Sequence, residues 1–286
     1  MPPRQEEAAR PQSLTRRAAH GTVKASGAPT PHPALRPVWI PKPQFPLAMR
    51  TSPLLLLAAS LAALPVSAAT EQAGPRPAPE AAERVAKADQ LVRKGSFDQA
   101  LSGFLEPMIA EFEKENSGRK ERVYCARDSA ETRYYLAQSA ARNEPAIVLN
   151  QAYAYAYFLK AYILDDRNQF DAAIPFLTRA VELSPQNAQY LSELGHIYQS
   201  RKDWPKSLEL FGRAVEAARL FSGDASKSET LRRALRGQAY SQIELGWLDE
   251  AEKLYRQCLE LDPDDKTAKG ELSYIEQLRR KGGSKE

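Results

Sequence analysis

The sequence repeats one short pattern four times between residues 96 and 255. In each copy, an aromatic residue or leucine is followed three residues later by alanine or serine, and four residues after that by a large apolar residue. The copies read SFDQALSGF (96–104), QFDAAIPFL (169–177), DWPKSLELF (203–211) and WLDEAEKLY (247–255). Apolar residues that recur at spacings of three and four predict amphipathic helices. Because one such unit cannot bury its apolar face alone, the repetition predicts a stacked array of helices.

A small residue occupies the same place upstream of each copy, which indicates two helices that cross closely. These residues are Ala88, Ala161, Gly195 and Ala239. Together with the stretch LSELGHIYQSRKDW (191–204), the pattern resembles the tetratricopeptide repeat, a helix–turn–helix unit of about 34 residues. The resemblance implies an all-α fold, in which such units form a right-handed superhelix that ends in a C-terminal capping helix.

The resemblance divides residues 81–281 into repeats and connecting segments. It places the repeats at residues 81–114, 154–187, 188–221 and 232–265. We expect residues 222–231 to form an insertion, with Ser228 as the N-cap of the next helix. We expect residues 266–281 to form the capping helix, with its inward side at Leu272, Ile275 and Leu278.

Residues 115–153, between the first two repeats, are less regular. Their clearest feature is a helix at 129–142, whose spacing predicts a buried side made of Tyr135, Leu136 and Ala140. Residues 119–125 are compatible with either an extended segment or a turn. A degenerate helix pair across residues 115–153 would make the array continuous, and this is the arrangement that we expect.

The N-terminal part of the chain has a different composition. Residues 1–48 contain ten of the 21 prolines, which predicts a disordered leader. Residues 49–69 then show the three parts of a secretory signal peptide, namely a positive start at Met49-Arg50, an apolar block and a tail of small residues. We therefore interpret Met49 as the true start, residues 70–80 as a linker and the mature chain as exported across a bacterial inner membrane. The stretch between Arg50 and Glu71 lacks charges, so an uncleaved membrane anchor is the alternative.

Charge and composition exclude several classes of function. The net charge of +4 arises in residues 1–48, which hold seven basic and two acidic residues, so the remainder is close to neutral and does not predict nucleic-acid binding. With two cysteines and three histidines, the chain cannot build a cysteine-rich zinc site. Nucleotide-binding and hydrolase motifs are absent, and the pair Asp165-Asp166 is interpreted as a helix end. We expect no catalytic residue, metal or cofactor, and we expect Cys125 and Cys258 to remain unbridged.

The resemblance also assigns residues to a concave groove that binds partners in this family. In the phase of the repeats, the groove-facing residues are Tyr155, Phe158 and Tyr162 in the second unit, Gln189, Ser192, His196 and Gln199 in the third, and Arg233, Arg236 and Tyr240 in the fourth. The groove would then be aromatic at one end, polar in the middle and cationic at the other end. The alternative is that Tyr155 and Phe158 bury against residues 115–150.

These features predict a non-enzymatic interaction scaffold of the bacterial cell envelope that binds a protein or peptide. The family's clamp for an acidic C-terminus requires lysine and asparagine at places where this chain has Phe158, Tyr162 and Glu193, and of the clamp residues Arg233 alone fits. We therefore do not expect that clamp here. Two alternatives stay open, namely a structural subunit of an envelope assembly or export complex and a protein that binds glycans or muropeptides. The sequence indicates neither the partner nor the oligomeric state.

Overall fold

The computed structural model describes residues 79–222 and 224–283. The predicted leader (1–48), the predicted signal peptide (49–69) and most of the predicted linker (70–80) lie outside the described residues. In the part that is described, none of the helices is both long enough and apolar enough to cross a membrane.

The described chain forms an all-α helical repeat solenoid, as the sequence predicts, with one short sheet inserted. Three-residue turns join each of four successive pairs of helices into a hairpin, and a last helix packs on the fourth pair. In chain order the elements are α1 (Pro79–Arg93), α2 (Phe97–Ala100), a π-helical turn (Leu101–Leu105), α3 (Glu106–Asn116), β1 (Arg122–Ala126), α4 (Ser129–Ala141), β2 (Ala146–Asn150), α5 (Ala152–Asp166), α6 (Phe170–Leu183), α7 (Ala188–Ser200), α8 (Trp204–Phe221), α9 (Asp224–Glu244), α10 (Leu248–Leu261) and α11 (Lys266–Gly283).

The same turn closes every hairpin. One residue of each turn has a left-handed backbone, and these residues are Gly95, Asn168, Lys202 and Gly246, with φ between 57° and 81°. In each case, the next residue donates its backbone N–H to a carbonyl five residues earlier, as Asp203 does to Tyr198 at 2.9 Å. This is the Schellman arrangement, which satisfies the last carbonyl groups of a helix and reverses the chain. The same arrangement also ends α4, where Asn143 has φ 55° and Glu144 donates to the Ser139 carbonyl at 3.0 Å, so it is a general helix end that each hairpin uses for its turn.

The first hairpin departs from regular geometry at Pro107. Its second helix runs from α2 into α3 through the π-helical turn at Leu101–Leu105. Proline has no backbone N–H, so Pro107 cannot donate to the carbonyl four residues earlier, and the helix accommodates it with a wider turn. The helix nevertheless buries Leu105, Met108 and Phe112 in the common core.

The hairpins stack on one another without a gap. Helices α1 and α3 both contact α5, although an inserted segment of 35 residues, 117–151, separates the end of α3 from the start of α5. The expectation of a degenerate helix pair at 115–153 is therefore wrong. A β-strand, a helix and a parallel β-strand occupy that segment instead, and the array is continuous because this unit lies outside the stack of hairpins.

The inserted unit consists of β1, the crossover helix α4 and β2. The two strands pair in parallel, with Arg122 opposite Ala146 and Ala126 opposite Asn150, and parallel neighbours require such a crossover. Residues 122–126 are thus a strand, which resolves the question that the sequence left open. The unit is attached to the array by hydrogen bonds, since Ser184 donates its hydroxyl to the Cys125 carbonyl at 2.6 Å and Arg127 donates to the Phe221 carbonyl at 3.2 Å.

The helix predicted at 129–142 is present as α4, but its buried side differs from the prediction. Tyr135 is buried as expected, whereas Leu136 is 42% exposed and Ala140 is exposed. Glu131 and Ser139, one turn to either side of Tyr135, are buried instead. The reason is that Tyr135 stacks on Tyr124 of β1 at 4.9 Å. Because of this contact, the side of α4 that carries Glu131, Tyr135 and Ser139 faces the strands.

Two expectations for the C-terminal part have different outcomes. The segment 222–231 is not a separate insertion, since α9 begins at Asp224 and Ser228 lies inside it instead of capping it. Arg232 pairs with Glu229 one turn earlier, as side chains of one helix do.

The capping helix is present as α11 and buries Ile275, while Leu272 and Leu278 are half-buried against the core.

Candidate peptide-binding groove

The first helices of the hairpins, α1, α5, α7 and α9, present side chains along one face of the array, which we call the first-helix face. Three contacts between neighbouring helices define it. The Tyr155 hydroxyl of α5 donates to Asp89 Oδ1 of α1 at 2.7 Å. The Phe158 ring of α5 stacks on the Tyr190 ring of α7 at 4.9 Å, and Arg233 of α9 donates to Glu193 of α7 at 2.5 Å.

The aromatic residues of α5 occupy three different environments. Tyr155 is half-buried, and both burial and its bond to Asp89 raise the pKa of its hydroxyl. Phe158 is 2% exposed, because the rings of Tyr155 and Tyr190 lie parallel to it on either side. The expectation that Phe158 is open to a partner is thus wrong, and the ring stacked on it belongs to α7 and not to residues 115–150. Tyr162 is half-buried.

A small cleft lies between α5 and α7. Three helices line it. The lining residues are Phe158, Ala161, Tyr162 and Asp165 of α5, Leu177 of α6, and Glu193 and Ile197 of α7. Its walls are therefore apolar and aromatic, with two carboxyl groups among them. The space between these side chains is small, about the size of one water molecule.

Asp165 is the least satisfied group in the cleft. Its Oδ1 atom is buried and accepts no hydrogen bond from any described residue. Burial, together with the nearby charges of Glu193 and Asp166, raises the pKa of this carboxyl to about 6, while His196 opposes the shift. A buried oxygen without a donor destabilises the free protein, and a ligand that supplied a donor would remove this cost.

Glu193 is almost as deeply placed but has a partner. It is 7% exposed, and its Oε1 accepts the bond from Arg233. The repeat phase did not assign Asp165 to the groove, and it placed Glu193 only at a clamp position whose required residue this chain lacks. Asp165 lies three residues beyond Tyr162 on the same side of α5, and this spacing is the signal that could have identified it.

Two of the four predicted groove residues of α7 are engaged within the protein. Ser192 is 1% exposed and donates its hydroxyl to the Ala188 carbonyl at 2.7 Å, so the expectation that it contacts a partner is wrong. The side-chain amide of Gln199 donates to the Gly237 carbonyl at 2.9 Å and thereby ties α7 to α9. Gln189 and His196 are half-buried.

The predicted cationic end of the groove is neutralised by carboxylates of the chain itself. Arg233 pairs with Glu193, and Arg236 pairs with Asp265 at 3.2 Å and with Glu229 at 3.4 Å. Tyr240 is half-buried, its ring lies 6.0 Å from Trp204, and burial raises the pKa of its hydroxyl. The expectation that Arg233 and Arg236 form a free cationic surface is therefore wrong, since the periodicity of α9 does not reveal the acids that face it.

The described part of the chain contains no group of three or more histidine, cysteine, aspartate or glutamate side chains placed to hold a metal ion. Cys125 and Cys258 are both free and buried, and burial raises the pKa of each thiol to about 12. Cys125 lies on β1, whereas Cys258 lies on α10 beside the Arg232 carbonyl.

Family models of the tetratricopeptide repeat match two adjoining parts of the chain, residues 154–187 and residues 186–264. These residues comprise α5 to α10 almost completely, so the central part of the array is similar to this family in sequence as well as in fold. No curated protein sequence matches the chain.

Solved tetratricopeptide domains are similar to the chain in structure. The first such domain of Spaghetti (RPAP3), bound to an HSP90 peptide, is 24% identical with a TM-score of 0.40, and the match covers 44% of this chain and 93% of that one. The first domain of human RPAP3 is 21% identical with a TM-score of 0.42, covering 48% and 100%. The N-terminal domain of stress-induced protein-1 from C. elegans is 18% identical with a TM-score of 0.40, covering 44% and 96%.

Proposed function

We propose that the protein is a non-enzymatic interaction scaffold that binds a peptide or protein partner on the first-helix face, at the cleft between α5 and α7. The cleft is the observation that carries this proposal. It combines the partly exposed side chain of Tyr162 with apolar neighbours and a buried carboxylate oxygen of Asp165 that lacks a donor among the described residues. Aromatic side chains in such surroundings supply much of the affinity of protein interfaces.

The family match supports the same proposal. Stacked helical repeats form extended surfaces that proteins use for binding, and residues 154–264, where the repeat models match, include every residue of the cleft. Fold alone does not define function, so the proposal depends on the cleft and not on the fold.

A peptide selection tests the proposal. Dodecamers are selected from a display library on the full chain, and the dissociation constant of the tightest one is measured by fluorescence anisotropy. Replacing Tyr162 with alanine should weaken binding about tenfold, because the variant loses ring surface at the centre of the site. Leu136→Ala is the matched control, since this exposed apolar residue lies on α4 of the inserted unit, and it should change the constant less than twofold.

The two variants separate the outcomes. Equal effects of Tyr162→Ala and Leu136→Ala would place the contact elsewhere and contradict the proposal. A selection that yields no dodecamer sensitive to Tyr162 would contradict it as well.

We further propose that the protein functions in the bacterial cell envelope, exported by the signal peptide that begins at Met49. The residue pattern of 49–69 supports this location. Mass analysis of the native protein should then find Ala69 or Thr70 as its first residue. A peptide from residues 1–48 in cell extracts would contradict both the start at Met49 and this route of export.

A further inference from the structure

We propose that the inserted unit is an interface between two copies of the protein, in which β2 pairs antiparallel with β2 of a second copy. The pairing would join two parallel pairs of strands into one sheet of four strands, with a twofold axis at Val148. An interface of this kind uses the same surface of both copies. It lies on the inserted unit and not on the first-helix face, so the inference goes beyond the proposed function.

The outer edge of β2 carries backbone groups without partners. Arg122 lies opposite Ala146 and donates its N–H to the Pro145 carbonyl at 2.7 Å. In a parallel pair with this pattern, every second residue of β2 directs its N–H and C=O away from β1. These residues are Ala146, Val148 and Asn150. The sheet of the described chain has two strands, and the described residues supply no backbone partner to Val148 on its outer side.

The two edges of the sheet differ. The edge at β1 is covered by the array, since β1 contacts α5 and α6 and the Cys125 carbonyl accepts the Ser184 hydroxyl at 2.6 Å. Edge strands that stay open are usually protected by charged residues, prolines or bulges. Strand β2 reads AIVLN, with neither a charge nor a proline. Its composition is therefore that of a strand with a neighbour on each side.

Strand β2 is complementary to a second copy of itself. An antiparallel copy centred on Val148 places Val148 opposite Val148, Ala146 opposite Asn150 and Ile147 opposite Leu149. Each residue with outward N–H and C=O groups then bonds to another such residue, because the three are symmetric about the centre. Ile147 and Leu149, which are half-buried, would meet as an apolar pair, and no like charges lie opposite each other.

The crossover helix α4 has an exposed leucine on the same side as the open edge. Tyr134 on one flank of α4 contacts the Phe221 ring of α8 at 5.0 Å, so this flank faces the array. Leu136 lies on the other flank, because Tyr135 between them faces the strands and successive helical residues are about 100° apart. Strand–helix–strand crossovers are right-handed, and this hand places the Leu136 flank above β2. Leu136 is 42% exposed there.

A second copy would cover Leu136. Val148 lies opposite Tyr124, whose ring stacks on Tyr135, so Leu136 lies at the level of the twofold axis. Neighbouring strands are about 4.8 Å apart, and a helix over each pair of strands would lie about 10 Å from its copy, the distance of packed helices. Leu136 would then contact Leu136 of the second copy. An extended segment of another protein would pair with β2 but carry no helix to cover Leu136, so a second copy is the occupant that fits both.

Sedimentation velocity of the full chain over a range of concentrations tests the proposal, and the wild type should form a dimer. Val148→Pro removes an N–H that faces away from β1, which an edge strand tolerates, and should abolish the dimer. Leu136→Lys brings two like charges together at the axis and should weaken the dimer about tenfold. Leu220→Lys is the matched control, because Leu220 is exposed on α8, and it should change the dimer constant by less than about twofold.

A crosslink tests the position of the axis. In Leu136→Cys, a short bis-maleimide should join two copies, whereas it should not join two copies of Leu220→Cys. The native Cys125 and Cys258 are buried and should react in neither variant. Circular dichroism establishes that each variant is folded. If Val148→Pro does not fold, Leu136→Lys still decides the outcome, because it changes an exposed side chain.

Several results would overturn the proposal. These are a chain that stays monomeric at every concentration, a dimer that Leu136→Lys retains unchanged, and equal weakening by Leu136→Lys and Leu220→Lys, which would reduce the effect to net charge. A monomeric chain that binds an extended segment of another protein at β2 would show a different occupant and overturn it as well. Tyr162→Ala should leave the dimer unchanged, so the failure of this proposal and that of peptide binding are distinguishable.

Discussion

Two neighbouring junctions of the first-helix face are built in different ways. At the junction of α7 and α9, Arg233 is paired with Glu193, and Gln199 bonds to the Gly237 carbonyl, so that the side chains hold the repeats together. At the junction of α5 and α7, Tyr162 is partly exposed and Asp165 keeps an oxygen without a donor among the described residues. The first junction is closed by its own polar contacts, whereas the second leaves a cleft.

This difference shows what the repeat phase determines and what it leaves undetermined. The phase places a residue on a face of its helix, because helical positions three and four apart share a side. Whether the side chain is available depends on the residue that meets it from the neighbouring helix. Stability measurements can test the difference. A substitution in the closed junction should lower the free energy of unfolding of the protein more than a substitution in the open junction.

The largest effect is expected at Gly237 in the closed junction. A Cβ atom there would overlap the Phe211 ring of α8 deeply, whereas a Cβ atom at Gly195 on the other side of the ring would lie 2.9 Å from it. We expect Gly237→Ala to lower the free energy of unfolding by about 3 kcal/mol and Gly195→Ala by about 1 kcal/mol, because overpacking outweighs the gain in helix propensity. Urea denaturation of the full chain measures both.

Gly212 on α8 provides the control for this series. A Cβ atom at Gly212 would make an ordinary contact of 3.6 Å with Gln238. Gly212→Ala should therefore stabilise the protein by up to about 1 kcal/mol through helix propensity alone. If Gly237→Ala also stabilised it, the close packing of α8 between α7 and α9 would be wrong.

The second effect concerns the ion pair that closes the junction. Arg233→Ala leaves the carboxylate of Glu193 buried without its partner, and we expect a loss of about 2 kcal/mol, less than for a fully buried pair because the arginine is partly exposed. Adding Glu193→Gln should recover part of the loss. Arg256→Ala breaks an exposed pair with Glu252 and should change stability by less than about 0.5 kcal/mol. An equal loss in Arg233→Ala and Arg256→Ala would show that the junction is not closed by this pair.

The sequence predicted the array because its signals are local. Small residues such as Ala161 and Gly195 mark helix crossings wherever they recur, and the left-handed turn residue of each hairpin follows its small residue by seven positions. The inserted unit was not predicted as a strand–helix–strand, since strand pairing joins Arg122 to Ala146 across an intervening helix and no local pattern encodes that contact. In the candidate site, the phase placed Tyr162 correctly on the face, but the burial of Phe158 under Tyr190 and the pairing of Arg236 with Asp265 depend on other helices.

The third effect is a gain of stability in the open junction. A folded-state pKa of about 6 for Asp165 lies above the ordinary value for aspartate, so the folded chain retains a proton that the unfolded chain releases from about pH 4 upward. The wild type thus loses stability as the pH rises from about 4 to 6. Asp165→Asn should avoid this loss and be more stable at pH 7 by on the order of 1 kcal/mol, after allowance for partial exposure.

Thermal melts at several pH values measure this gain. The advantage of Asp165→Asn over the wild type should disappear below about pH 4, where both side chains are neutral. Asp166→Asn is the control, because Asp166 is exposed and its charge is the smallest of the causes that raise the pKa of Asp165, so this variant should give only a small part of the gain. An advantage of Asp165→Asn that did not change with pH would not arise from ionisation of the carboxyl.

The smallest effect is expected for Tyr162→Ala. The Tyr162 ring is tilted by 34° against Phe158 at 6.4 Å and is partly exposed, so its removal should cost less than removal of a fully buried ring, on the order of 1 kcal/mol. Tyr255 is 1% exposed in the core, and Tyr255→Ala should cost about 3–5 kcal/mol. The comparison matters because the variant that should weaken peptide binding most is also one that should hardly affect folding. If Tyr162→Ala destabilised the protein as much as Tyr255→Ala, Tyr162 would belong to the core, the α5–α7 junction would be as closed as the α7–α9 junction, and the cleft would lose the aromatic side chain on which peptide binding depends.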